Sequence, residues 1–156
     1  MSKSLARVVA ALQAAGLPAE VLEMGVETRT AEAAAQAAGC ALDQIAKSII
    51  FRGQASGHVV LFLTAGGNRV DAAMASRVAG QPLGKADAAL IRAETGFAIG
   101  GVAPIGHLRP LRAFIDPRLL EFSRVWAAAG TPRHIFAIAP ADLVRISAAE
   151  TAAFTC

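Results

Sequence analysis

Tyrosine is absent from this chain, tryptophan occurs once, and cysteine only twice. With aromatics at 5% and no stretch in which basic and aromatic residues interleave, the sequence lacks the stacking platform of a general single-strand nucleic-acid binder. Cys40 and Cys156 are too distant for a CxxC pair and too few for a disulfide framework. They point to a reducing compartment, with Cys40 a small buried hydrophobe rather than a catalytic thiol and Cys156 a tail residue. Long apolar runs are missing as well. The longest segment free of Asp, Glu, Lys and Arg, residues 53–68, carries His58, Asn68 and several glycines and falls short of the ~20 apolar residues a bilayer helix needs. Lys3 and Arg7 sit inside an amphipathic pattern instead of ahead of an apolar core, so no secretory leader is read, no membrane partner is expected, and the expected location is cytoplasmic. The three histidines, His58, His107 and His134, are scattered without HxxxH or HExxH spacing, so no metal is expected.

The chain of 156 residues carries a net charge of +3. Its length suits one domain, residues 1–156, without repeat, low-complexity linker or charge block. The positive balance permits a polyanionic partner. Its strongest basic grouping, Arg109, Arg112, Arg118 and Arg124 with Arg133 beyond, is open to two readings, a phosphate-holding patch or a solvated surface.

Leu5, Val8, Val9 and Leu12 recur at helical spacing, predicting a helix over 4–15 that Gly16 and Pro18 stop. A short strand is expected at 19–24. Thr30 offers an N-cap for an alanine-rich helix at 31–38, with Glu32 in its first turn. A helical turn at 41–45 leads to a hairpin of strands at 47–52 and 58–64. Asp71 starts a helix at 72–78, and another is expected at 85–93, terminated by Gly96. Strands follow near 111–115, 124–127 and 134–138, then a Pro140-started helix to about 146. The tail shows no evident partner. Connections of hairpin length, not regular helical crossovers, predict an α+β domain with a mixed or antiparallel sheet, curved and in the limit closed into a barrel.

Three places carry chemistry. Gly100-Gly101-Val102-Ala103-Pro104-Ile105-Gly106-His107 makes a loop whose backbone can approach a ligand and converge amide N–H groups on one oxygen, although a tight structural loop uses the same residues. Lys47 opens an apolar strand, so its ammonium must reach solvent, a carboxylate or a bound anion; read alone, it suits a snorkelling lysine. His134 and Phe136 alternate to one face of a late strand, and that face is a candidate pocket wall. Ser48 and Ser123 lack the Gly-x-Ser-x-Gly elbow of a serine hydrolase.

Lys47-Ser48-Ile49-Ile50-Phe51, the helix start Thr28-Arg29-Thr30, the glycine loop and residues 132–138, in this order, resemble the YbaK-type aminoacyl-tRNA deacylases and the related editing insertion of bacterial prolyl-tRNA synthetases. The resemblance runs from about residue 17 to 146. It implies a compact mixed sheet flanked by helices and a free-standing trans-editing enzyme that hydrolyses the ester of a small, wrongly attached amino acid on tRNA, with proline tRNA the first candidate. Lys47 would belong to the editing site and act by electrostatic positioning, since an ordinary lysine is protonated at neutral pH and accepts no proton. Gly100 and Pro104 match the family's Gly-x-x-x-Pro pattern, with Gly101 inside it. The loop amides would stabilise the negative charge of the reaction, water being the nucleophile. Thr30, Ser48, Val102, Ala103, His107, His134 and Phe136 would contact substrate, His107 as pocket wall or ribose contact unless it is simply a surface histidine. An acidic residue that some relatives carry near Phe136 is absent, which argues against cysteinyl specificity, and His107 departs from the commonest pattern. No cofactor is implied. The partners implied are the 3′ acceptor end of an aminoacylated tRNA and an aminoacyl-tRNA synthetase; the alternative is a non-catalytic tRNA- or synthetase-binding module of the same fold.

Overall fold

The computed structural model describes residues 1–27 and 30–156, so Thr28 and Arg29 of the expected helix start lie outside the described residues. Among the described residues five α-helices form: α1 (Lys3–Ala14), α2 (Ala31–Ala38), α3 (Ala72–Ala79), α4 (Ala88–Thr95) and α5 (Pro140–Ser147). The strands are β1 (Val21–Glu23), β2 (Ile45–Gly53), β3 (Val59–Ala65), β4 (Leu83–Lys85), β5 (Arg112–Ile115), β6 (Val125–Ala128), β7 (His134–Ile138) and β8 (Glu150–Thr151). One device starts the first four helices. Ser2, Thr30, Asp71 and Asp87 each accept, through a side-chain oxygen, the N–H three residues on, which satisfies an amide with no intrahelical partner. Among the described residues no helix is long and apolar enough to cross a membrane.

The strands form one mixed sheet in the order β1-β7-β6-β2-β3-β5-β8, as expected for the α+β class. Its path has two ends, so among the described residues it does not close into a barrel. β3 is buried along its whole length because helices cover both faces. Val59, Leu61, Leu63 and Ala65 join Leu5, Val8 and Leu12 of α1, Ile91 of α4 and Leu143 of α5 in the main core. Val60 and Phe62 face the other way, towards Ala75 and Ala79 of α3, and Phe62 meets Phe114 at 5.3 Å and Phe154 at 4.9 Å between ring centroids. Ala31, Ala34 and Ala35 of α2 cover Ile45 and Trp126 where β2 meets β6.

β2 positions the site. One edge pairs with β3 from Ala46 to Arg52. The other edge is shared by two strands: β6 runs parallel to Ile45 and Ala46, and β4 runs antiparallel to Phe51, Arg52 and Gly53. Residues 47–50 therefore have no partner on that edge among the described residues, and the sheet opens there into a cleft.

Two expectations are corrected. Residues 83–85 are strand, and α4 begins only after Asp87, whose carboxylate accepts the Leu90 N–H at 2.7 Å and sets the helix start. The tail does have a partner: β8 lies parallel to β5, Thr155 bridges to Val70, and Phe154 is wholly buried against Phe62.

Candidate functional site

The cleft beside residues 47–50 widens into a cavity of about 520 Å³, a size suited to a small ligand. Thr30, Ala31 and Ala34 at the start of α2 form one wall, Ile45 to Ile50 of β2 the floor, Ile99, Gly100 and Val102 a second wall, and Trp126 to Ala128 with Thr131, Pro132, His134 and Ile135 the third. The lining is mostly apolar, with Thr30, Lys47, Ser48, Thr131 and His134 as its polar side chains.

Lys47 donates from Nζ to the Asn68 carbonyl at 2.6 Å and makes no ion pair among the described residues. Its one hydrogen bond among the described residues is to that neutral oxygen, the Asp43 carboxylate acts on it only through space, and two further N–H donors remain. The Asn68 carbonyl is itself firmly seated. Asp43 accepts the Gly67 N–H at 2.8 Å, and the buried Asp116 accepts the Ala65 N–H at 3.1 Å and the Asn68 side-chain amide at 2.9 Å. The Arg118 guanidinium holds the Asp43 carboxyl below its ordinary range; burial opposes it, and the Gly67 N–H and the Lys47 charge assist. Ser48, next along β2, has a buried Oγ with no hydrogen-bond partner. A buried hydroxyl left in that state costs about 1–3 kcal/mol, which a ligand's hydrogen bond would recover.

The glycine loop is divided in its commitments. Gly101 donates its N–H to the Ala98 carbonyl at 3.1 Å, closing a turn, so that amide is not free for a ligand. Gly100, at φ +93°, and Val102 line the cavity, and neither N–H makes a main-chain hydrogen bond outside regular elements among the described residues. Gly101 instead presses against the backbone of Thr131, where a Cβ would lie 2.8 Å from Cα. Thr131 in turn holds His134: its hydroxyl accepts the Arg133 N–H at 3.1 Å and meets His134 Nδ1 at 2.6 Å. The contact to Nδ1 fixes the orientation of the imidazole ring at the cavity wall.

Of the residues expected at the site, Thr30, Lys47, Ser48, Gly100, Val102 and His134 line the cavity, while Gly101, Ala103, Pro104, His107 and Phe136 do not. Phe136 is wholly buried in the main core, and Ile135 takes the wall position beside His134. His134, the first residue of β7, is held at the cavity by its contact with the Thr131 hydroxyl. Pro104 and His107 face a separate groove with residues 146–148. His107 donates Nε2–H to the Ala103 carbonyl at 2.7 Å and so braces the loop from behind. Thr30 caps α2 through Oγ1, which accepts the Ala33 N–H.

The arginines do not form one phosphate patch. Arg118 pairs with Asp43 and Glu121, Arg124 with Glu20, Arg109 with Glu94, and Arg112 donates to the Ala79 carbonyl. Cys40 is half-buried beside α2, and burial pushes its thiol up. Thr131 and Trp126 carried no signal in the sequence, since a threonine in a loop and a lone tryptophan fit any core.

The aminoacyl-tRNA editing domain family matches residues 26–146, a span that includes the whole lining of the cavity. The chain belongs to that family, and the YbaK-type fold expected from the motifs is the one observed. It is 30% identical over 128 residues to the uncharacterized protein YwhH of Bacillus subtilis (strain 168), covering 82% of this chain and 81% of that protein. A solved structure provisionally assigned as a trans-editing enzyme for prolyl tRNA synthetase superposes with a TM-score of 0.92 at 44% identity, covering 100% of this chain and 99% of that one. The hypothetical protein APE2540 superposes at 0.87 with 27% identity over 96% of this chain and 99% of its own.

Proposed function

We propose that this protein is a free-standing trans-editing deacylase that hydrolyses the ester between a small, wrongly attached amino acid and the 3′ end of tRNA, with proline tRNA as the leading candidate. The observation that carries the reading is the cavity at the gap in β2, where a cation without a carboxylate partner, two uncommitted loop amides and a histidine held by Thr131 surround an apolar space. In this reading Lys47 holds the anionic tRNA end by its charge. Water attacks the ester carbonyl, and the Gly100 and Val102 amides stabilise the oxygen that becomes negative, so no protein nucleophile is required. The bond to the ribose oxygen breaks, that oxygen takes the proton released by the water, and free amino acid and tRNA leave. Ser48 and His134 supply hydrogen bonds to the amino acid and the ribose. An editing step of this kind serves a physical need, because a synthetase pocket discriminates poorly between small, similar side chains.

The test is a panel of proline tRNAs charged with alanine, cysteine, serine or threonine, followed for ester loss beside the Lys47→Ala variant. Selective hydrolysis that falls about 10- to 100-fold in the variant, the worth of a hydrogen bond to a charged group, supports the reading. Stable esters across the panel refute it and leave a tRNA- or synthetase-binding module of the same fold.

A further inference from the structure

We propose that Arg7, on α1, is a positioning residue for this hydrolysis, because its guanidinium ties together the two ends of the loop that brings Gly100 and Val102 to the cavity. The inference rests on the deacylase reading above. It adds a residue from a helix that precedes the family-matched span.

The loop leaves α4 at Thr95 and ends at Gly106. Arg7 Nε donates to the Gly106 carbonyl at 2.8 Å, and a terminal Arg7 nitrogen donates to the Thr95 carbonyl at 3.5 Å. One planar fork thus closes the base of the loop, as the ends of a compact Ω-type loop are closed. The guanidinium also lies over the Phe97 ring at 4.4 Å, and Phe97 is wholly buried. Two glycines shape this seat. A Cβ on Gly96 would collide with the Arg7 guanidinium, and Gly106, at φ +75°, takes a backbone conformation that a side chain would strain. His107 also meets Phe97, edge-on at 6.1 Å, while bonded to the Ala103 carbonyl. Arg7 does not line the cavity, so its effect on the reaction passes through the loop.

Arginine is needed for the geometry. A lysine at the same place carries the charge on a compact ammonium, without the planar fork that reaches both carbonyls, and cannot lie flat on Phe97. The experiment compares wild-type protein with Arg7→Met, Arg7→Lys and a control from the same helix, Val9→Ala, which trims a partly buried side chain packed on the core. Two quantities are read: steady-state deacylation of the mischarged tRNA hydrolysed by the wild type, and amide hydrogen exchange across residues 97–106. Arg7→Met is expected to lower kcat about 10- to 100-fold with KM little changed, as misplaced catalytic groups do. Exchange in the loop should accelerate, and Arg7→Lys should recover part of both. Arg7→Met behaving like Val9→Ala in rate and in loop exchange overturns the proposal. Should the wild type hydrolyse no aminoacyl-tRNA, the deacylase reading falls by itself, and loop exchange decides whether Arg7 holds the loop.

Discussion

Replacing Gly101 with alanine puts a methyl carbon 2.8 Å from the Cα and carbonyl carbon of Thr131 and 2.9 Å from its nitrogen, all backbone atoms that no rotamer change can move. Non-bonded carbons settle at about 3.5 Å, so loop and turn must part by about 0.7 Å. Forcing one methyl group into a packed contact costs about 1–3 kcal/mol. For a chain of this size that corresponds to a melting temperature lower by about 2–12 °C. The rate should suffer more than the fold. The displaced atoms lie between Gly100 and Val102 on one side and the threonine that orients His134 on the other. A misplacement approaching 1 Å at reacting groups costs about 100-fold. Thermal unfolding followed by circular dichroism, run beside single-turnover deacylation, reads both effects. Gly25→Ala is the matched control, since a Cβ there meets nothing within 4 Å and its φ is ordinary. A Gly101→Ala protein with the melting temperature and the rate of this control would refute the argument that loop and turn are coupled by backbone contact.

Ser48→Ala removes a buried hydroxyl without a partner; the variant should be up to about 1 kcal/mol more stable in urea titration yet raise the KM for mischarged tRNA. Burial, joined by the Arg7 charge and opposed by the bond to the Ala103 carbonyl, holds the His107 imidazole below its ordinary value. A histidine depressed in the folded state contributes stability that is present above its unfolded value of about 6.5 and lost as the pH falls below it. Melting temperatures taken downward through that window should therefore drop, and a His107→Asn protein should lack this part of the decline. Phe154→Ala should cost about 3–5 kcal/mol in urea unfolding, because its ring is wholly buried against Phe62.

The parts legible in the sequence were those governed by neighbours in the chain. Thr30 with its capping oxygen and Gly39 beyond bound α2 at the expected residues, and β7 begins at His134 as the apolar run predicts. Lys47 and Ser48 were recognisable through motif order, and both line the cavity. What escaped depends on partners remote in sequence. The bond from Arg7 to Gly106 spans 99 positions, and no periodicity on α1 distinguishes Arg7 from a solvated charge. β4 is only three residues long and owes its conformation to the free stretch of β2 it covers. Ile135 takes the wall position expected of Phe136, whose face of β7, with Ile138, belongs to the main core.

The interrupted edge of β2 also bears on self-association. Unpaired strand edges are templates for other chains, and a binding cleft that exposes backbone groups invites self-association. Here the exposed run is only residues 47–50, closed at one end by β6 and at the other by β4. That is shorter than the six or seven residues from which cross-β assemblies grow. A charged Lys47 stands at its head, a gatekeeper of the kind that flanks aggregation-prone strands. The interruption is therefore wide enough to admit a small ligand and too short to recruit a foreign strand.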